Sequence, residues 1–561
     1  MSRHLKLLAI GLRLTAALLF PAALHAAELH VALTGNDDTG TGSAAQPWRT
    51  ATRGVNAAQP GDVVFLHSGV YCEEVRIRTP DITLSSAPGE WAMIRGEIGT
   101  NDRPGFAVMI DVDADGTVLR RLEVVGGYYG VYLRSKWDFG GPDRTGATDV
   151  LIEDCRIHDS GRDCIKLTPR CDRLTIRRCE VYSSGRLYPA GTPQENKNAE
   201  GIDNVNSHDM LVQDCYVHDT ATTGVYFKGG PADCVVERTR VERCGAAGIL
   251  VGFDTSPEFF DTTTNPNFYE AIRGTVRNCI VRDTNYSGIG FFAADGAVAV
   301  NNTVVNTAKL GHSPIYFGVT IQDYDPAAGR PASRNVQVRN NIVVQPATNA
   351  QPLVGIRFLF EPELGNLAGL SGMPMMSNNL YFANGAAARF QDRRPGSTLE
   401  SGDLAAWQAL IGSDAGSRIA DPQLTADLHL SAGSPAIDAG ASVAGLTDDF
   451  DAAPRPAGAG LDIGADEFSS SPPPAPTFGT ASDLSASACG DLLPNQPDPP
   501  IGGDVPGNGS DDPSPGPDDS PLDESPAPSA LCPMSAAALL MASFCGLCSI
   551  RRDPTNGRRA K

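Results

Sequence analysis

Leu151-Ile-Glu-Asp-Cys155, Thr175-Ile-Arg-Arg-Cys179, Leu211-Val-Gln-Asp-Cys215 and Thr275-Val-Arg-Asn-Cys279 repeat one pattern. The stretches 118–122, 235–239, 299–303 and 337–341 fit it more loosely. Their last residues fall at 122, 155, 179, 215, 239, 279, 303 and 341, with gaps of 33, 24, 36, 24, 40, 24 and 38. The gap of 24 recurs three times, and each other gap is 24 plus an insertion. A fixed period of this size marks a solenoid. Within each period the runs are short and β-branched, broken by Gly, Asn and Asp, with no helical spacing of apolar residues. Strand repeats stacked coil on coil predict an all-β parallel β-helix of about 24 residues per minimal coil.

Strand alternation separates inside from outside. Two residues past the anchors from 155 to 341 stand Ile157, Val181, Val217, Val241, Val281, Val305 and Val343, which the pattern turns inward. Cys155, Cys179, Cys215 and Cys279 share the anchor column and read as small packing residues rather than metal ligands. The total of 13 cysteines is odd. Export permits disulfides, and Cys164–Cys171 and Cys234–Cys244 are the candidate pairs. The stretch 46–58 reads as a short amphipathic helix capping the open N-terminal end of the core, as terminal coils need. Strands are expected at 62–66, 74–78, 82–85 and 91–95. The regular pattern fades after Phe382. A short helix is expected at 403–410 and a compact β segment at 420–468.

The ends differ in kind from the body. Arg3 and Lys6, an apolar run and a small-residue stretch make 1–27 a secretory signal. Residues 28–117 hold the cap and first coils, 118–400 the repeats and 401–468 the C-terminal segment. The stretch 469–530 carries 15 Pro and ten acids in 62 residues with no Lys or Arg, the composition of a disordered stalk. In the final stretch, 531–561, residues 534–550 are uncharged and five basic residues follow. As a helix this run spans about 26 Å, marginal for a bilayer core of about 30 Å. It reads as a membrane anchor or as a sorting signal that a processing enzyme cleaves, and places the body at a bacterial cell surface or outside the cell.

The net charge is −21. Setting aside +3 in 1–27, −10 in the stalk and +4 at the C-terminus leaves −18 on 28–468. This excludes a non-specific nucleic-acid binder, which needs a basic footprint. An acidic polysaccharide would be met only through a local basic patch or a bridging cation. A monomer is expected.

The opening of the expected mature chain, Val31-Ala-Leu-Thr-Gly-Asn-Asp37 with Gln46-Pro-Trp-Arg-Thr50 and Ser68-Gly-Val-Tyr-Cys-Glu73, resembles that of secreted bacterial right-handed parallel β-helix proteins. Among these are pectate-lyase-like and chondroitinase-B-like polysaccharide lyases. Ser434-Pro-Ala-Ile-Asp-Ala-Gly440 and Asp462-Ile-Gly-Ala-Asp-Glu-Phe468 resemble the ending that precedes varied surface anchors, the choice-of-anchor type. The resemblance implies the fold. For activity it implies a set: lyase, hydrolase, epimerase or a protein without catalysis.

Coil register then proposes a site. Lys166, Asp203 and Tyr226 fall side by side on the outward face, with Lys228 two residues on and Asp163 just before Lys166. A second outward column holds His158, Tyr182 and His218. β-Elimination on a uronic-acid polysaccharide needs a base for the C5 proton, a cation for the adjacent carboxylate and an acid for the leaving oxygen. Lys228 or Lys166 supplies the base, Tyr226 or His218 the acid, and Asp163 with Asp203 a Ca²⁺ site of oxygen ligands. The stretch Gly201-Ile-Asp-Asn-Val205 is similar to the catalytic coils of alginate epimerases, but Val205 stands where those place a histidine. In Ca²⁺-dependent pectate lyases a lysine is expected about where Asp203 falls, and an aspartate where Lys166 falls. Asp163 and Asp203 are also the pair for a hydrolase, which in inverting form needs carboxylates about 6.5–9.5 Å apart. The alternative to catalysis is a surface glycan-binding or adhesion protein. Four insertions, near 134–147, 186–199, 253–271 and 322–334, carry Trp137, Phe139, Tyr188, Phe259, Phe260, Phe268 and Tyr269, candidates to stack on sugar rings.

Overall fold

The computed structural model describes residues 26–100, 103–137, 144–322, 325–396, 399–469 and Cys489. The expected signal, stalk and apolar C-terminal run lie almost wholly outside the described residues, as does Phe139.

The repeating unit is a coil of three short strands. One coil contains Leu151–Glu153, Arg156–His158 and Ile165–Leu167. The next contains Thr175–Arg177, Glu180–Tyr182 and Ile202–Val205. Stacking sorts the strands into three sheets of 12, termed first, second and third in the order met along a coil. Pairing along each sheet is parallel apart from the last pair of the third, so the chain forms a parallel β-helix, right-handed as parallel crossovers are. Register is held residue for residue: Ile152 lies beside Ile176 and then Val212. These and the inward residues of the other sheets, including Val181, Val217, Ile202 and Val225, are fully buried. Branched side chains suit such pleated surfaces, packing against the same residue type one coil away.

The corner after the first sheet is built from residues with left-handed backbone: Asp154, Arg178, Asp214 and Arg238. Few residues other than glycine sit there readily, and Asp and Asn are among those that do. Across coils these corners pair in charge, Arg178 Nε with Asp154 Oδ1 at 2.7 Å and Arg238 Nε with Asp214 Oδ1 at 2.7 Å. The residue just inside the corner is Cys155, Cys179, Cys215 and Cys279 in successive or near-successive coils, all buried. Val298 lies beside Thr275, which puts Asn302, not Thr303, in that column, so the last gap of 24 is in fact 23. Val304 rather than Val305 then faces inward. The column continues as an asparagine ladder, Asn302 Nδ2 donating to Asn341 Oδ1 at 2.9 Å and Asn341 Nδ2 to Asn379 Oδ1 at 3.1 Å. Polar side chains are stable inside because each coil satisfies the next.

Cys164, Cys171, Cys234 and Cys244 are free and buried, so neither expected disulfide forms. Cys164 and Cys171 flank the extended Ile165–Leu167 strand. Cys234 and Cys244 are separated by two strands, Val235–Glu237 and Arg240–Glu242. A disulfide joins Cys72, in the first coils, to Cys489 instead.

The N-terminal helix runs Ala51–Ala57, starting five residues later and ending one earlier than expected. Thr50 caps it, and Glu73 accepts the amides of Ala51 and Thr52, so the free N–H groups are met at that point. Ala51, Gly54 and Val55 face the core end. The second helix, Leu404–Ile411, is capped by Asp403 and buries Trp407. The second and third sheets continue past Phe382, to Arg418–Ile419 and Leu399–Gly402, while the first ends at Met375–Ser377. From 420 to 468 the expected β segment is instead a turn-rich layer with isolated bridges such as Leu424 to Leu430. It packs Phe450 and Ala465 against Ile280, and Ile463 against Ile342, on the outside of the second sheet.

Candidate functional site

The third sheet carries the chemistry. Its outward column runs Tyr132, Lys166, Asp203, Tyr226, Leu250, Gly290 and Tyr316, each beside the next. Two residues before the inward Ile165 and Ile202 stand Asp163 and Glu200, one coil apart. Ligand oxygens of Asp163, Glu200 and Asp203 all lie within 4.8 Å of one another. Lys166 Nζ donates to Asp203 Oδ2 and lies 3.7 Å from Asp163 Oδ2. The Glu200 amide donates to Asp163 Oδ1 at 3.0 Å, and Thr222 Oγ1 donates to Glu200 Oε1 at 2.6 Å. Asp163 Oδ2 and Asp203 Oδ1 are buried and accept no hydrogen bond among the described residues. The Asp163 and Asp203 oxygens are thus closer than the carboxylates of an inverting hydrolase.

The face expected to be exposed is covered. Asp163 is 0% exposed, Asp203 and Tyr226 1%, and Lys228 7%. Three insertions leave after third-sheet strands, and the one at 253–271 folds back onto that sheet. Phe253, from the third insertion, joins Tyr226, Leu250, Phe292 and Tyr316 in an apolar cluster outside the solenoid core. Lys228 Nζ sits 4.7 Å from the Tyr226 ring centre and 5.8 Å from that of Phe253. It lies beside Val205, next to the position where the epimerase pattern wants a histidine.

Two further acids come from the same insertion. Glu270 accepts from Gly229 N at 2.8 Å and Thr255 N at 3.0 Å, which fastens the insertion to the turn after the Val225–Lys228 strand. Asp254 accepts the Ile321 amide at 2.8 Å, joining two insertions. Burial pushes Glu270 up to about 8 and raises Asp254. Burial likewise pushes Asp163 up to about 6, with Lys166 opposing, and raises Asp203 against the pull of Lys166 and Lys228. Acids outnumber bases here, which favours a further cation. The all-oxygen donor set of Asp163, Glu200 and Asp203, with two oxygens lacking a donor, suits Ca²⁺.

A cleft opens beside the cluster and shares Glu200 with it. Thr222, Leu250, Phe253, Tyr286 and His312 line it, and it encloses about 390 Å³ including open solvent. His312 stacks on Tyr316 at 4.0 Å, and burial lowers its pKa to about 3.

His218 is not brought to this site. It lies on the second sheet between the Tyr182 and Tyr216 rings, with Nδ1 2.6 Å from Asp219 and Nε2 3.3 Å from Glu180. The insertion aromatics mostly hold loops down. Trp137 Nε1 donates to Glu258 O while Arg144 covers its ring, Tyr188 bonds Asn198, and Phe260 packs edge-on to Phe268. Glu200, Asp254, Glu270 and His312 were not singled out in the sequence. Glu200 was reachable, since it stands to Asp203 as Asp163 stands to Lys166. The others lie in insertions or turns that follow no register.

Among the described residues no helix is long and apolar enough to cross a membrane. No curated relative matches the sequence. A profile of a family of unknown function, DUF1565, matches residues 33–84. Similar solved structures include the pectate lyase Pel9A, at 15% identity and TM-score 0.48, over 79% of this chain and 96% of that one. The A-module of the mannuronan C-5 epimerase AlgE6 from Azotobacter vinelandii is 13% identical, TM-score 0.44, over 71% and 89%. PfbA, a surface adhesin of Streptococcus pneumoniae, is 10% identical, TM-score 0.40, over 60% and 82%. A second profile, described as right handed beta helix region, matches residues 106–309, the coils that carry the third-sheet cluster.

Proposed function

We propose that this chain is an exported polysaccharide lyase that cleaves a uronic-acid glycan by β-elimination at the third-sheet cluster. One observation carries the reading: two lysines, a tyrosine and three mutually close carboxylates converge beside a cleft. Elimination needs a base, an acid and a positive charge near the substrate carboxylate, and these residue types can supply all three. Lys166 is gripped by two carboxylates, Asp163 and Asp203. Asp163, Glu200 and Asp203 would hold Ca²⁺, whose charge would offset a uronate carboxylate. Lys166 or Lys228 would act as the base, and Tyr226 would protonate the leaving oxygen.

The near-complete burial of Asp203 and Tyr226 favours a second reading, in which the cluster is structural and the aromatic cleft only binds a glycan. Incubating the purified chain with alginate, polygalacturonate and glycosaminoglycans, with Ca²⁺ or a chelator, separates the two. A lyase gives ultraviolet-absorbing unsaturated ends, and binding does not. Full activity in Lys166→Ala and in Lys228→Ala would reject both as base, and full activity under chelation would remove Ca²⁺ from the scheme.

A further inference from the structure

We infer that the C-terminal layer binds a first-row divalent metal ion, best represented by Zn²⁺, between His429, Asp451 and Asp466. Ligand atoms of these three residues lie within 4.8 Å of one another. His429 Nε2 is 2.7 Å from Asp451 Oδ2, and the Asp451 side chain is only 2% exposed. Its other oxygen, Oδ1, is buried and accepts from no donor among the described residues. Both oxygens sit on one carboxylate, so this unmet acceptor lies at the cluster itself. Leaving a buried carboxylate oxygen unmet is costly, and a metal ion meets it.

The neighbouring acids sharpen the contrast. Asp449 accepts the amides of Asp451 and Ala453 through Oδ1 and that of Glu467 through Oδ2. Asp462 accepts the amides of Asp438 and Phe468. Those two carboxylates build turns. Asp449 thereby fixes the chain beside two of the three ligands, the outer support that metal ligands need. Asp466 is oriented by the Leu430 amide, 2.6 Å from its Oδ2. Residues 421–468 contain nine acids and one basic residue besides histidine, Arg455. Arg455 is already taken by Glu467 and by the carbonyls of Gly464 and Ala465.

One imidazole and two carboxylates suit Zn²⁺ or Mn²⁺, whereas Ca²⁺ takes oxygen alone. The ligands come from three separate pieces of the layer. Leu428, Phe450 and Ala465, each next to a ligand, pack against Ile280. An ion there would fasten the layer to the second sheet, away from the glycan cluster.

The test is Zn²⁺ titration of the chelator-treated full chain by calorimetry, with Asp203→Asn as a control for the other carboxylate cluster. One site is expected, weakened at least about tenfold in His429→Gln and in Asp451→Asn and unchanged in Asp203→Asn. Circular dichroism checks that each variant folds, and zinc-edge absorption of the wild type should show one imidazole ligand. Equal affinity in wild type and both C-terminal variants, loss in Asp203→Asn instead, or no binding at all (a buried water serving Asp451) would overturn the inference.

Discussion

The first and third sheets are made by the same stacking rule, yet their outer faces end in opposite states. On the first sheet, Glu153 receives Arg120 at 2.6 Å and Arg177 and Arg178 at 2.7 Å. Asp149 is clasped by Arg173 from the next coil. Acid meets base from coil to coil, and the arginines reach solvent while Glu153 itself is buried. On the third sheet, ligand oxygens of Asp163, Glu200 and Asp203 lie close together, Asp163 and Asp203 share Lys166, and all three acids are buried. Stacking alone produces charge ladders. Chemistry is to be sought where the ladder fails to balance and is then taken out of water, because there charge interactions strengthen and pKa values move.

Asp203→Asn puts the largest effect on this comparison. It should lower formation of unsaturated product by about 100-fold or more while shifting the urea midpoint little. A fully active variant would leave the two faces equivalent. Glu153→Ala should do the reverse, costing about 1–3 kcal/mol of stability by stranding three arginines, with activity kept. Chemical denaturation and the product assay on both variants give the crossed result or refuse it.

The two faces should also titrate with opposite sign. Burial holds Asp163 at about 6, above the ordinary 3.8, so the folded chain keeps a proton that the unfolded chain has released. Stability from this group is present at low pH and is lost as pH rises through that window. The Arg173 hydrogen bond lowers Asp149, whose contribution is present above the ordinary value and lost as pH falls. Urea midpoints from acid to neutral pH should therefore rise with pH in Asp163→Asn relative to wild type, and fall in Asp149→Asn. Parallel profiles would refute the contrast. The smallest effect belongs to Arg173→Ala. That pair is half-exposed, and its loss should cost less than about 1 kcal/mol in the same denaturation series.

Much of the solenoid was legible because its signal is repeated. Eight coils voted on the position of each inward residue, and one weak coil could not mislead by more than a residue. It did mislead by one at Thr303, because an asparagine column inside a core breaks the rule that inward means apolar. Lys166, Asp203 and Tyr226 were legible as neighbours for the same reason, and Glu200 by extension.

What the chain order determined on its own was the winding, since a strand period repeated coil after coil leaves apolar side chains one common interior. Whether Lys166 and Asp203 meet water was decided only in three dimensions. The insertions have no period and no partner in sequence, and their resting place over the third sheet depends on contacts such as Glu270 with Gly229 and Asp254 with Ile321. The same holds for His429, Asp451 and Asp466, which turns rather than strands bring together. Burial of a polar group is a property of everything packed around it, and no local pattern encodes that.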